Sequence, residues 1–461
     1  MMVDVAAGFA AHEIEEAVAG RLVGGRPDMT ASGVSTDSRT LRAGELFVPI
    51  AGLNFDGHDF IAAGCLAGPG RSPEVPENAF AVEVEDTLRA LGDLARYHRG
   101  RFDLPVVAVT GSNGKTTTKE MIAAILAEGA ETLKSEGNLN NLIGLPLQVF
   151  GLGPAHERAV FEMGMNQPGE IFRLAEIAAP EVAVITGVAP AHLEGLGSIE
   201  AVRDAKGEVL EAMGAAGTAV LPSEDPHCGV LAERFRSKGG RAVTFGFSAG
   251  CDARAGDIQM TARGGTSFRI YLGGEEAEAR LPVVGKQNVL NALAAAAAAS
   301  HIGSSLDEVV RGLARAEFPR MRLAIEEIPG GAFLLNDAYN ANPESLRLAI
   351  QTACELKGTG RAFGVLGDMK ELGAFEKSAH REAGRWAAKE GLDYLAAVGA
   401  MMKLAAEEAR GGGMSPDRVG EFAAPEEAAA WVADHLEPGD WVLVKGSRSM
   451  EMERAAEALR D

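Results

Sequence analysis

One stretch of the chain has residue types and spacing suited to holding an anion: Val106-Val107-Ala108-Val109-Thr110-Gly111-Ser112-Asn113-Gly114-Lys115-Thr116-Thr117-Thr118. The β-branched run reads as a buried strand, the glycines as a turn and the threonines as the start of a helix. Glycines let backbone N–H groups face an anion, the helix N-terminus adds partial positive charge, and the lysine reaches terminal phosphates. Gly111, Ser112, Asn113, Gly114, Lys115, Thr116 and Thr117 are therefore the expected phosphate cradle, with the Thr116 hydroxyl placed to ligate Mg²⁺. The general pattern G-x-x-x-x-G-K-[ST] calls for glycine where this chain has Val109, so the loop is a shorter variant. A nucleoside triphosphate is implied, but the loop alone does not choose among kinases, hydrolases and ligases. No N-K-x-D motif for reading guanine is present.

The elements that must position this loop read as α/β architecture in three domains. Residues 1–102 form a small mixed domain, with a helical stretch near His12–Val18, a short strand over Glu45–Ile50 and a Pro- and Gly-rich loop over 68–78. Residues 103–319 are expected to be a phosphate-loop domain with a mainly parallel sheet. After Val106–Thr110 and a helix over Thr116–Glu128, further apolar runs at Ala159–Met163 and Val182–Thr186 alternate with helical patterns. An alanine-rich helix over Asn288–Ala299 suits close packing of helix on sheet. Residues 320–461 alternate again, with strands at Ala332–Asn336, Ala362–Leu366, Tyr394–Val398 and Trp441–Val444, as in a dinucleotide-type fold.

The 461 residues suggest roughly three domains, and 46% hydrophobic with 24% charged residues fits a globular protein. Lys plus Arg number 44 against 65 Asp plus Glu, a formal charge of −21. That balance argues against a nucleic-acid partner, while a local basic pocket still suffices for an anionic small substrate. Four scattered cysteines without C-x-x-C indicate neither a zinc site nor a disulfide framework. No secretory signal and no membrane span are read, so a cytoplasmic location is expected, as is a monomer.

Gly111–Thr118 resembles the loop of the Mur ligases, the ATP-dependent amide-forming enzymes of peptidoglycan synthesis, and further matches follow in order along nearly the whole chain. Gly137-Asn138-Leu139-Asn140-Asn141-Leu142-Ile143-Gly144 resembles a substrate loop, which implies substrate roles for Asn138, Asn140 and Asn141. Phe161-Glu162-Met163-Gly164 resembles the strand that carries a magnesium-binding glutamate, Ala191-His192-Leu193-Glu194 the segment with a metal-proximal histidine, and Asp204-Ala205-Lys206-Gly207-Glu208 the segment with a carbamylated lysine. Ser35-Thr36-Asp37-Ser38-Arg39 and Gly44–Pro49 resemble the region that binds the UDP part of the substrate. Asn336-Asp337-Ala338-Tyr339-Asn340-Ala341-Asn342-Pro343-Glu344-Ser345 resembles the branch that adds D-alanyl-D-alanine to UDP-N-acetylmuramoyl-tripeptide, and the D-N-P-R motif of the amino-acid-adding branch is missing. Another Mur-type amide ligase or a folylpolyglutamate synthase-like enzyme is the alternative.

The resemblance implies ATP and Mg²⁺ as cofactors and an acyl-phosphate route, in which no covalent enzyme nucleophile is needed. Lys115, Glu162, His192 and Lys206 are the implied catalytic set, with Thr116, Glu162, His192 and carbamylated Lys206 around metal. Asn288 and Asn291 share a helix face, where they read adenine edges or merely cap the helix. Arg322 and Asp337 lie near the suspected hinge and would reach ATP on closure. Asn340, Asn342 and Ser345, with Lys445 behind them, are candidates to hold the dipeptide.

Overall fold

Every residue of Val106–Thr110 is buried, because this strand runs through the middle of a nine-stranded sheet. Its neighbours, Val182–Ile185 on one side and Arg158–Glu162 on the other, both run parallel to it. A computed structural model of the chain describes residues 2–52, 56–61, 64–71, 75, 77–190, 193–261 and 265–460. His192, and residues 72–74 and 76 of the 68–78 loop, lie outside that set.

The central sheet continues through Thr218–Pro222 and Arg241–Gly246 to Ala253–Thr261, all parallel. It then turns antiparallel in Gly265–Leu272 and Glu275–Leu281. Helix Lys286–His301 lies against these strands, and Ala292–Ala299 are all buried. Alanine removes the side-chain bulk that would otherwise hold helix and sheet apart, so the backbones approach closely. The helix extends past both ends of the expected Asn288–Ala299. The loop helix runs Lys115–Leu126, starting one residue earlier than expected at the left-handed Gly114.

The chain before this domain forms a six-stranded mixed sheet. Its strand Glu45–Phe47 stops short of the expected Ile50, where Pro49 has no N–H to give a ladder. Helix Thr87–Arg99 leads out of that sheet, capped by Asp86, which accepts from the Leu88 and Arg89 N–H groups at 2.8 and 3.0 Å. The C-terminal sheet orders its strands Ala324–Ile328, Ala332–Asp337, Trp441–Lys445, Ala362–Gly367, Tyr394–Val398, Val419–Phe422. All of its pairings are parallel except the first. Parallel strands place their carboxyl ends on one edge, where the loops of an open α/β sheet gather ligands. Among the described residues no helix is long and apolar enough to cross a membrane.

His98 fastens the first two domains. It is fully buried among Phe9, Phe102 and Phe150. Its Nε2 lies 3.0 Å from the Leu152 carbonyl, which can only accept, so Nε2 carries the proton. Nδ1 has no partner among the described residues, and burial pushes the imidazole down to about 4 from an ordinary 6.5. Between those values the unfolded chain binds a proton that the folded chain refuses. The contribution is therefore complete above pH 6.5 and is lost as pH falls toward 4, at most about 3 kcal/mol. Urea unfolding midpoints should fall over that range in the wild type. In His98→Phe the part due to this imidazole should vanish, giving a flatter pH profile.

Candidate active site

Two glycines shape the loop because no side chain fits there. Gly111 and Gly114 have φ of +144° and +77°, and a Cβ would collide with the Thr186 hydroxyl at the first and the Asn291 amide at the second. The loop is stitched to the segment after strand Val182–Ile185. Ser112 N–H donates to the Gly187 carbonyl at 2.9 Å, and Ser112 Oγ bonds both the Ala189 carbonyl and N–H. Thr186 Oγ1 donates toward the carbonyls of Thr110 and Asn113. The loop is thus held in shape by protein alone, and helix Lys115–Leu126 leaves from it at once. Lys115 Nζ folds back 2.8 Å from the Gly111 carbonyl, over the turn.

Around that ammonium lie the acid and cations expected from sequence. Glu162, 2% exposed, ends its strand and takes an Asn140 N–H on Oε1 at 2.8 Å, while its Oε2 is buried with no partner among the described residues. The spare Glu162 oxygen and the Thr116 hydroxyl at the start of the loop helix are both hard-oxygen groups of the kind Mg²⁺ takes. Lys206, on helix Ile199–Met213, is 2% exposed, and no hydrogen bond or ion pair joins it to any described residue. Burial, reinforced by the Lys115 charge, pushes its amine well below the usual lysine range. Burial also lowers Lys115, with Glu162 opposing.

Lys119 is a participant that sequence reading passed over. It is fully buried, with Nζ 2.5 Å from the Ser135 carbonyl and 2.7 Å from Glu120. Ser135 Oγ in turn accepts the Glu162 N–H at 3.0 Å. Its position four residues after Lys115, one helical turn on, was the available signal.

The C-terminal domain reaches the same loop. Arg322 donates to Thr116 Oγ1 at 3.1 Å and stacks over Tyr339. Asn342 Nδ2 donates to Asn113 Oδ1 at 2.7 Å, and Asn113 Nδ2 faces Glu344 at 3.4 Å. Asn342 and Ser345 also cap helix Pro343–Leu356 reciprocally. Asp337 does not touch the loop; it pairs with buried Lys445 at 2.5 Å, and Lys445 also bonds the Asn340 carbonyl at 2.9 Å. Asn288 donates to the Val284 carbonyl at 2.7 Å and accepts from Asn291, which underlies Gly114. Arg322 also borders a cleft of about 300 Å³ walled by Pro282, Val283, Phe318, Pro319 and Leu323. Asn141 caps the turn into Gly144–Val149, and Asn138 is exposed. Ser35, Asp37, Ser38 and Arg39 form a separate turn in the first domain. There Arg39 grips Asp37 at 2.7 Å and holds its carboxyl well below the usual range.

Family models match in three successive parts: "Mur ligase family, catalytic domain" over residues 30–99, "Mur ligase middle domain" over 109–299, and "Mur ligase, glutamate ligase domain" over 320–448. The UDP-N-acetylmuramoyl-tripeptide–D-alanyl-D-alanine ligase of Bacillus subtilis is 36% identical, with 97% of each chain covered. A crystal structure of MurF from Acinetobacter baumannii superposes with a TM-score of 0.90 at 31% identity over all of both chains. The MurF ligase of Thermotoga maritima in complex with ADP gives 0.82 at 29% identity, covering 93% of this chain and 96% of that one.

Gly114→Ala should weaken binding of a fluorescent ATP analogue at least about tenfold while the protein still melts cooperatively. A left-handed alanine costs about 1 kcal/mol before the collision with Asn291 is counted. Unchanged affinity would mean that the turn is not the phosphate cradle.

Proposed function

The chain belongs to the Mur ligase family, and on that premise we propose that it joins D-alanyl-D-alanine to UDP-N-acetylmuramoyl-tripeptide, splitting ATP to ADP and phosphate. The observation that carries the reading is the meeting of two domains on one loop: Arg322 on Thr116 and Asn342 on Asn113. A ligase of this kind must bring an acceptor amine to a phosphorylated carboxylate before water arrives.

A donor carboxylate oxygen attacks the γ-phosphorus, the bond to the β-phosphate oxygen breaks, and ADP leaves. The acceptor amine then attacks the acyl carbon, loses a proton, and expels phosphate. Carboxylate and triphosphate repel each other at bonding distance, so the site's work is charge compensation and alignment. Lys115 supplies a cation at the phosphates. Thr116 and the free Glu162 oxygen would hold Mg²⁺, which when bound offsets charge on the phosphoryl oxygens. Lys119 and Ser135 keep the Glu162 backbone in place. The apolar cleft beside Arg322 suits the adenine ring, with Asn288 and Asn291 shaping the adjoining loop. Asp337 and Lys445 shape the loop that carries Asn340 and Asn342 toward the acceptor, and the Ser35–Arg39 turn receives the UDP end of the donor.

Lys206 has the chemistry for carbamylation. A neutral amine adds CO₂ and releases a proton, turning a cation into a carboxylate-like anion, and burial beside Lys115 favours that neutral amine. The anion would face Lys115 and provide a second hard-oxygen group for Mg²⁺.

Phosphate release should require both UDP-N-acetylmuramoyl-tripeptide and D-alanyl-D-alanine; release independent of either would overturn the reading. Lys115→Ala should lower kcat at least about a hundredfold with the fold intact, as loss of one pre-aligned charge donor does elsewhere. Lys206→Ala should be nearly inactive and regain part of its activity with acetate, at constant ionic strength. No rescue by any short carboxylic acid would leave Lys206 as an uncarbamylated amine.

A further inference from the structure

A buried polar frame follows strand Ala362–Gly367 at the carboxyl edge of the C-terminal sheet. Asp368, 2% exposed, accepts the Met401 and Met402 N–H groups on Oδ1 at 3.1 and 2.8 Å, and the Lys370 ammonium on Oδ2 at 2.9 Å. The next residue is held by a histidine. Met369 N–H donates to His380 Nε2 at 2.9 Å, and His380 Nδ1 lies 2.6 Å from the Glu376 carbonyl. That carbonyl can only accept, so Nδ1 carries the proton and Nε2 is the bare acceptor of a neutral ring. His380 is fully buried and braces the 368–370 loop against its own helix, Glu376–Glu390.

Ser447 braces the loop from the other side. Its Oγ accepts the Lys370 N–H at 2.8 Å and its N–H donates to the Asp368 carbonyl at 3.1 Å. Its hydroxyl also faces the Ala341 carbonyl at 3.4 Å. The loops after Ala332–Asp337, Ala362–Gly367 and Trp441–Lys445 are therefore one hydrogen-bonded body, and its far end, Asn342, is bonded to Asn113 of the phosphate loop. An acceptor amine that attacks at that loop must lie against this body. A dipeptide also carries a carboxylate, and the frame leaves the Lys370 side chain 40% exposed, its ammonium on one Asp368 oxygen.

We propose that His380 is a positioning residue for the acceptor dipeptide: its neutral imidazole fixes Met369, and so sets where the 368–370 loop and the Lys370 ammonium meet the dipeptide. The proposal rests on the ligase reading given above. The test is steady-state phosphate release with each of the three substrates varied in turn. His380→Leu, which removes the acceptor for the Met369 N–H, should raise the dipeptide KM about ten- to hundredfold. The KM values for ATP and the UDP-linked donor should stay within about twofold, as their groups lie on other loops. His380→Gln offers an oxygen in place of Nε2 and should restore most of the loss. Ser447→Ala, which leaves the imidazole intact, should give the same split, and this pair decides the matter if His380→Leu does not fold. An unchanged dipeptide KM in folded His380→Leu or Ser447→Ala, an equal rise for all three substrates, or no recovery with glutamine would overturn the proposal. Wild-type turnover that ignores the dipeptide would instead overturn the ligase reading, and it is seen before any variant is made.

Discussion

An ammonium buried without a counter-ion is costly in its charged form, and Lys206 has none among the described residues and lies beside a second lysine. Much of the central domain bears on that condition. Helix Ile199–Met213 carries Lys206 into the interior. The phosphate loop brings Lys115 to the same space, and Glu162 supplies one carboxylate with an oxygen to spare. Among the described residues the group of charges is unbalanced, and anionic phosphates with their metal would balance it. A site poorly neutralised by its own residues is pre-organised for a charged ligand, because nothing internal must first be displaced.

The glycines and the Thr186–Ala189 segment hold the loop's shape whether or not the C-terminal domain approaches. The C-terminal domain adds Arg322, Asn342 and Glu344 from across the cleft. Burial in that cleft pushes the Glu344 carboxyl above the ordinary range. The described hydrogen bonds that join the two domains at the loop are few and polar. Such contacts form and break without exposing an apolar core.

The α/β class, the three-part organisation and the phosphate loop were legible because each is written locally. A strand–glycine–lysine–helix sequence constrains its own backbone, and alternating apolar runs declare a covered sheet. The antiparallel extension of the central sheet was not anticipated, although Thr266, Phe268, Ile270 and Leu272 alternate inward with period two. Asparagine was the least legible type, since one amide serves equally as helix cap and ligand contact. Asn342, read from the sequence only as a group to hold the dipeptide, caps Pro343–Leu356 and also reaches Asn113, 229 residues away in the chain. His380 and Ser447 act through backbone groups and partners that no composition or spacing rule marks, whereas Lys119 was marked only by its place one helical turn after Lys115.

The aromatic seat of His98 has an energetic meaning as well as a geometric one. Phe9 from the first sheet and Phe150 from the central domain touch the same ring, and one continuous apolar core runs from Phe9 to Phe235. The C-terminal sheet has separate cores, one of which takes in Val284 of the central domain, and polar bonds such as Lys286–Glu355 and Gln287–Thr352 join the two domains as well. The first two domains thus share one of their apolar cores, and melting of either exposes apolar surface on the other. The third shares only the edge of one core with them, so it is the part expected to open locally at a fraction of the global free energy.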